Sequence, residues 1–390
     1  MYPNISYLIN DLFGIYIPLP IQTFGFFVAL AFIFSSWTLA LELKRKEKIG
    51  LIKAVKRSKL IGQKISATQL ISAATIGFIL GFKLIYAALN YSEFVGNPQS
   101  VILSTKGHFI GGLLWAVLNA FVKYREYKKQ ELNQPKTINE TIHPFQLVGN
   151  ITIIAAIAGV LGAKIFHNLE NIDDFLADPI GQLLSFSGLT FYGGLICGAI
   201  AVIYYSKKYG IHYKIISDAA APGLMLAYGI GRMGCHFSGD GDWGITNLAP
   251  KPEWLSILPD WAWAYKYPNN VINAGVPIEG CVGQYCNELL HPVFPTPIYE
   301  IIMALGLFAL LWHLRKRINI AGMLFGIYMI VNGLERFFIE KIRVNTKYIL
   351  FGQEITQAEL ISLAMIASGV AIVYRLHTQA KKEQTRRKLL

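Results

Sequence analysis

Nine apolar runs divide the chain, at residues 21–40, 67–89, 108–122, 147–166, 190–205, 216–234, 296–314, 320–338 and 360–374. Most approach the roughly 20 residues that a helix needs to cross a hydrocarbon core. The runs at 108 and 190 are shorter, which suits tilted or re-entrant helices, or helices that continue past the apolar stretch. Nine such runs are too many for the buried helices of a soluble protein. The pattern predicts an all-α polytopic membrane protein of about nine transmembrane helices.

The polar connections alternate in character. Lys and Arg gather at 44–64, 123–136, 207–214, 315–317 and 381–388, on every second connection. The other connections hold Glu93, Glu170, Asp173, Asp174 and Asp178, or are mixed. Basic loops tend to stay in the cytoplasm, so the N-terminus is expected outside and the C-terminus in the cytoplasm. Residues 1–377 then form one transmembrane helical domain, and residues 378–390 a basic cytoplasmic tail expected to fray. The 390 residues are 53% hydrophobic and only 15% charged, which argues against several soluble domains. The net charge of +12 is accounted for by orientation and by contact with anionic membrane lipids, so no nucleic acid is expected as a partner. The first run is too long for a cleavable signal peptide and precedes its basic cluster.

Two segments look related. GFKLIYAALN (81–90) and HFIGGLLWAV (108–117) match GAKIFHNLEN (162–171) and TFYGGLICGA (190–199). Lys83 corresponds to Lys164, and Gly111-Gly112 to Gly193-Gly194, with a spacing that differs by one residue. Residues 67–122 thus read as an inserted helix pair resembling 147–205, a parallel repeat. Paired glycines are also common wherever membrane helices approach closely. The copies differ before the glycines, with Ile110 in the first and Tyr192 in the second.

Residues 239–295 are rich in Pro, Trp and Gly and are expected to form a small external cap. They contain Cys281 and Cys286, which fit an external disulfide better than a metal site, since no second Cys pair or spaced His pair accompanies them.

The candidate chemistry lies in charges placed within apolar runs. An arginine at the centre of a span costs about 2.5–3.5 kcal/mol on insertion scales and usually faces a protein interior. A lone Arg232 near a helix end would be read as an interfacial anchor. Arg232 has company at the same outer level: Arg336, Glu340 and Arg343 in NGLERFFIEKIR (332–343), Tyr299 and Glu300 in PTPIYE (295–300), and the acids Asp240 and Asp242. Arg336 and Glu340 are four apart and can pair on a helix, and Arg343 is expected to continue that face. Two guanidinium groups can hold a phosphate by forked hydrogen bonds, with carboxylates to orient them and to bind hydroxyls. That composition suits a phospholipid headgroup. Gly239, Gly241 and Gly244 are expected to allow left-handed backbone and to present N–H groups. No nucleotide phosphate-loop motif is present.

The segment GRMGCHFSGDGDWG (231–244) resembles the signature of the prolipoprotein diacylglyceryl transferase family, GRxGNFxNGExxG. PLPIQTFG (18–25), GAKIFHNLEN, GLTFYGGLI (188–196), FPTPIYE (294–300) and GMLFGIYMIVNGLERFFIEKIR (322–343) follow the family's order. The resemblance implies a multi-pass enzyme of the bacterial cytoplasmic (inner) membrane. It implies transfer of the diacylglyceryl group of phosphatidylglycerol to the lipobox cysteine thiol of a preprolipoprotein, with release of glycerol phosphate. The implied partners are phosphatidylglycerol, the signal-peptide region of the preprolipoprotein and membrane lipids, and no metal or organic cofactor is implied. Carried over by motif, Arg232 and Arg336 match the family's essential arginines. Gly193-Gly194 match its His-Gly-Gly motif, and Glu340 and Arg343 its distal Glu and Arg. Arg232, Arg336 and Tyr192 are thus the catalytic candidates. Arg232, Gly193, Gly194, Asp240, Glu300, Glu340 and Arg343 are the substrate-binding candidates. The motif histidine is Tyr192 here, the signature asparagine is Cys235, the N-terminal tyrosine is Phe24, and the tyrosine before the second arginine is Asn332. Tyr192 offers an orienting or relaying phenol in place of a histidine base, and Cys235 reads as a packing residue.

The rival from another class is a carrier of an anionic substrate, since parallel repeats occur in transporters. It expects charges at the bilayer midplane, whereas these gather near one face. An acyl- or phosphotransferase built on a His-Asp pair or an acid-rich metal site lacks its residues in a convincing spacing.

Overall fold

A computed structural model describes residues 1–185, 188, 190–350 and 352–389. Each apolar run is realised as a long helix: α1 (Thr23–Lys48), α2 (Ala67–Leu89), α3 (Phe109–Gln130), α4 (Val148–Glu170), α5 (Phe191–Lys208), α6 (Tyr213–Ser238), α7 (Thr296–Leu314), α8 (Met323–Glu340) and α9 (Gln357–Leu389). Several outlast their apolar runs because basic residues suit a helix C-terminus, as Arg45, Lys46 and Lys48 do in α1. The basic tail is carried in the last turns of α9. Five segments, Thr23–Lys48, Ala67–Leu89, Pro144–Glu170, Thr296–Leu314 and Gln357–Lys382, are long and apolar enough to cross a membrane. The chain is therefore a polytopic membrane protein.

The all-α expectation needs one correction. Three two-stranded antiparallel ribbons occur among the described residues. The largest joins β1 (Val55–Ile61) to β2 (Lys136–Ile142); β3 (Val276–Pro277) with β4 (Asn287–Glu288) lies in the long loop between α6 and α7, and β5 (Lys347–Leu350) with β6 (Gln353–Thr356) precedes α9. β2 is rich in β-branched residues, and Arg57 sits opposite Glu140. Hydropathy treats such polar segments only as connections, so they pass unnoticed in it.

The two related helix pairs share their backbone contacts. In α2 and α3, a Cβ on Gly81 would lie 2.5 Å from the Gly111 carbonyl oxygen and 2.4 Å from Trp115 Cβ. In α4 and α5, a Cβ on Gly162 would lie 2.5 Å from the Gly193 carbonyl oxygen and 2.4 Å from Cys197 Cβ. The His108 amide donates to Phe82 O at 2.8 Å, and the Thr190 amide to Ala163 O at 3.1 Å. Two six-residue helices bridge each pair at its outer end, Tyr91–Gly96 and Pro98–Leu103 in the first, Ile172–Ala177 and Pro179–Leu184 in the second. Lys83 donates to the carbonyls of Val101, Ser104 and Lys106. The first pair packs chiefly on itself, and the β1–β2 ribbon extends its inner end.

The centre of the bundle is α6, which lies against α1 and α7. A Cβ on Gly223 would meet Thr38 Oγ1 at 2.8 Å, so that glycine sets the approach to α1. Met225, Ala304, Leu311 and Leu324 form a buried cluster between α6, α7 and α8. At the start of α8, Asp218 accepts from the Gly322 and Phe325 amides and caps that helix. Nearby, Arg45 and Arg315 both hold the fully buried Glu42. These contacts fix the helices whose opposite ends carry the site.

Candidate active site

The site lies at one end of the bundle, where the end of α6 with its loop, the start of α7, and the end of α8 with the turn beyond it meet. Helix α6 stops at Gly239, which takes φ 65° and donates its amide to Cys235 O. A side chain would strain that left-handed turn. The loop is then pinned twice. Thr296 Oγ1 donates to the Asp242 carbonyl at 2.9 Å, and the Gly244 and Ile245 amides donate to Phe294 O and Ile342 O. Gly241 also has a positive φ, whereas Gly244 is small for a different reason, because a Cβ would sit 2.5 Å from Ile342 O.

Glu300, fully buried on α7, is the centre of the cluster. Arg232 Nε lies 3.2 Å from its Oε2, and Arg336 Nη1 and Arg343 Nη1 lie 3.4 Å and 3.3 Å from its Oε1. Tyr228 also donates to Oε1, at 2.7 Å, and its ring lies 5.1 Å beneath the Arg232 guanidinium. Asp242 is the second bridge, taking a hydrogen bond from Arg232 and another from Arg343 Nη2 at 2.5 Å. Arg336 Nη2 reaches Glu340 at 2.9 Å. The two guanidinium groups singled out in the sequence, on different helices, thus converge on one carboxylate.

Both loop acids are strongly affected by this setting. Burial opposes the charge on Asp242, but Arg232 and Arg343 outweigh it and hold the carboxyl below its ordinary range. Asp240 moves the other way, raised by burial and by the neighbouring charge of Asp242. Cys235 Sγ and the Asp240 and Asp242 carboxylates lie within 4.8 Å of one another. Asp242 already faces two guanidinium groups, and Asp240 accepts from the Asp242 amide.

Of the two loop acids, Asp242 makes the ion pairs with Arg232 and Arg343. Arg343 does not continue the face of α8, because that helix ends at Glu340; a turn carries Arg343 to a backbone bridge with Gly244. Gly193 and Gly194 face Gly162 and Gly159 of α4, so close helix packing by itself requires their missing side chains. Tyr192, one residue earlier, is near enough to Arg336 and Glu340 for their charges to act on its phenol. Tyr228 and Glu335 are further members that sequence reasoning did not assign to the site. Glu335 is 4% exposed, and neither of its carboxyl oxygens has a hydrogen-bond partner among the described residues. The signal for Glu335 was its place inside an apolar run beside Arg336.

In the loop between α6 and α7, Cys281 and Cys286 form a disulfide. His236 packs against Tyr265 and the buried Tyr267.

The model of the family described as prolipoprotein diacylglyceryl transferase matches residues 130–375. Proteins named phosphatidylglycerol–prolipoprotein diacylglyceryl transferase resemble the chain. That of Corynebacterium diphtheriae is 30% identical over 234 residues, covering 59% of this chain and 78% of the relative. That of Corynebacterium glutamicum (strain ATCC 13032) is 28% identical over 236 residues, covering 59% and 69%. That of Dehalococcoides mccartyi (strain 195) is 28% identical over 242 residues, covering 62% and 80%. The family match includes every arginine and carboxylate of the cluster and leaves the first helix pair almost wholly outside it. With its ordered motifs, its helical bundle and this match over most of its length, the chain belongs to the prolipoprotein diacylglyceryl transferase family.

Proposed function

We propose that the protein transfers the diacylglyceryl group of phosphatidylglycerol to the lipobox cysteine thiol of a preprolipoprotein, and that the guanidinium cluster binds the phosphodiester. The observation that carries this reading is the convergence of Arg232, Arg336 and Arg343 on Glu300 and Asp242. Carboxylates hold the three guanidinium groups in position, so little reorganisation is needed when a phosphate arrives. Arg343 Nε is buried within the cluster and has no hydrogen-bond partner among the described residues.

In the reaction, the substrate thiol sulfur attacks the glyceryl carbon that carries the phosphate. A carbon–sulfur bond forms, the carbon–oxygen bond breaks, and its electron pair stays on the phosphate oxygen of the departing glycerol phosphate. Arg232 and Arg336 stabilise that developing charge; comparable oxyanion donors contribute about 2.7–4 kcal/mol each. The thiol proton ends on the released phosphate or in water. The arginines also favour the thiolate, which a free thiol of pKa about 8.5 supplies only in small fraction at neutral pH. Tyr192 orients the headgroup or relays the proton, and Asp240, Glu300, Glu340 and Arg343 complete the binding shell.

We read nine spans, with the N-terminus and residues 239–295 outside and the basic tail in the cytoplasm, in the bacterial inner membrane. The gathering of Arg45, Lys46 and Arg315 at the end opposite the cluster supports this orientation. Residues 67–122 are read as an inserted copy of 147–205, supported by the shared glycine contacts.

The test uses purified protein, phosphatidylglycerol and a lipobox peptide. The expected products are a diacylglyceryl peptide and free glycerol phosphate. Unchanged peptide, under conditions where the protein remains folded, would overturn the reading.

A further inference from the structure

A small cavity beside the arginine cluster is lined by Trp243, Gly244, Thr246, Leu289, Leu290, His291, Val293 and Val344. Two of its walls continue directly from the cluster. Trp243 follows Asp242, and Val344 follows Arg343. The Gly244–Arg343 bridge and the Gly244 contact with Ile342 O lock these walls together. The lining is mostly apolar and contains no Lys, Arg, Asp or Glu, so it is not a second phosphate site. Its residues come from the loop 239–295 and from the turn beyond α8, outside the long helices. Its volume of about 240 Å³ falls below the ~300–1,000 Å³ usual for a whole drug-sized ligand. Individual side chains fit it.

We propose that this cavity binds apolar side chains of the acceptor peptide beside the cysteine, and so presents the thiol to the lipid held by the arginines. The proposal rests on the transferase reading above. The distances agree with it. An extended peptide advances about 3.3–3.6 Å per residue, and the cavity walls Trp243 and Val344 are the chain neighbours of Asp242 and Arg343. A thiol at the cluster therefore puts a side chain one to three residues away at the cavity. An apolar pocket next to a charged one also separates the two substrates by chemistry, with the peptide on apolar surface and the phosphate on guanidinium.

The experiment uses the full chain in detergent with two variants, Leu290→Asp and Val344→Asp. Both side chains are well exposed, at 60% and 64%, so neither change disturbs the packed fold. Binding is read with a fluorescent lipobox peptide whose cysteine is replaced by serine, and transfer with the cysteine peptide. The expected result is a peptide Kd and KM raised at least about tenfold in both variants, because a charge is placed on apolar contact surface, while the phosphatidylglycerol concentration at half-maximal rate stays at its wild-type value. Wild-type peptide binding in both variants, or an equal shift in the lipid dependence, overturns the proposal. If the unaltered chain binds the serine peptide through this cavity but transfers nothing, the cavity stands and the transferase reading falls. If it transfers and the variants keep the wild-type peptide KM, the transferase reading stands and the cavity falls.

Discussion

Glu300 on α7 and Arg343 beyond the end of α8 meet at 3.3 Å, although 43 residues separate them. The same carboxylate also serves Arg232 and Arg336, so it is the only fully buried carboxylate in the cluster to join all three guanidinium groups. Removing one partner of a buried ion pair typically costs about 3–5 kcal/mol, because the remaining charge is left uncompensated. Glu300→Gln keeps the shape and removes the charge. It is expected to lower the unfolding temperature in detergent and to reduce transfer at least about a hundredfold. Wild-type values in both measurements would show that the arginines are held by something else.

Arg232 engages Asp242 and Glu300 through two different nitrogens. A lysine ammonium is a point charge and cannot reproduce that fork. Arg232→Lys should therefore lose about 10²–10³ in rate, and Arg232→Ala should abolish transfer while the protein remains membrane-inserted. A lysine variant with nearly full activity would mean that charge alone suffices.

Tyr192 lies beside the cluster rather than at its centre. Tyr192→Phe keeps the ring and removes the hydroxyl, and the expected loss is less than about tenfold, the scale of one hydrogen bond. A complete loss with a changed pH–rate profile would instead assign obligatory proton transfer to the phenol.

Asp242 predicts a pH dependence. Its carboxyl is held below the ordinary aspartate value of 3.8, so its stabilising contribution is fully present above that value and disappears as pH falls through the lower folded value. Thermal unfolding in detergent should show a destabilisation below about pH 4, and Asp242→Asn should remove that component while lowering stability at neutral pH. Identical acid limbs in the two proteins would contradict the pairing.

The long helices were legible because apolar runs of membrane length are a one-dimensional signal. Arg232, Arg336 and Glu300 were legible for the same reason, since a charge inside such a run stands out. The choice between Asp240 and Asp242 was not. It depends on the turn at Gly239 and on the bond from Thr296, which is distant in sequence. Arg343 was found, but its route to the site was misjudged, because helical spacing was carried past the point where α8 ends. Gly193 and Gly194 look like site residues in a motif, yet their environment is the backbone of α4. The β1–β2 ribbon left no hydropathic trace because its strands are short, polar and exposed.

The helix pair α2–α3 closes through its own glycines, so its folding asks little of the enzyme around it. A self-packed pair of that kind is free to drift wherever no ligand constrains it. Ile110 precedes the paired glycines of α3 as Tyr192 precedes those of α5, and the guanidinium cluster lies beside Tyr192. Selection for chemistry would then act on the α4–α5 pair and selection for packing alone on α2–α3.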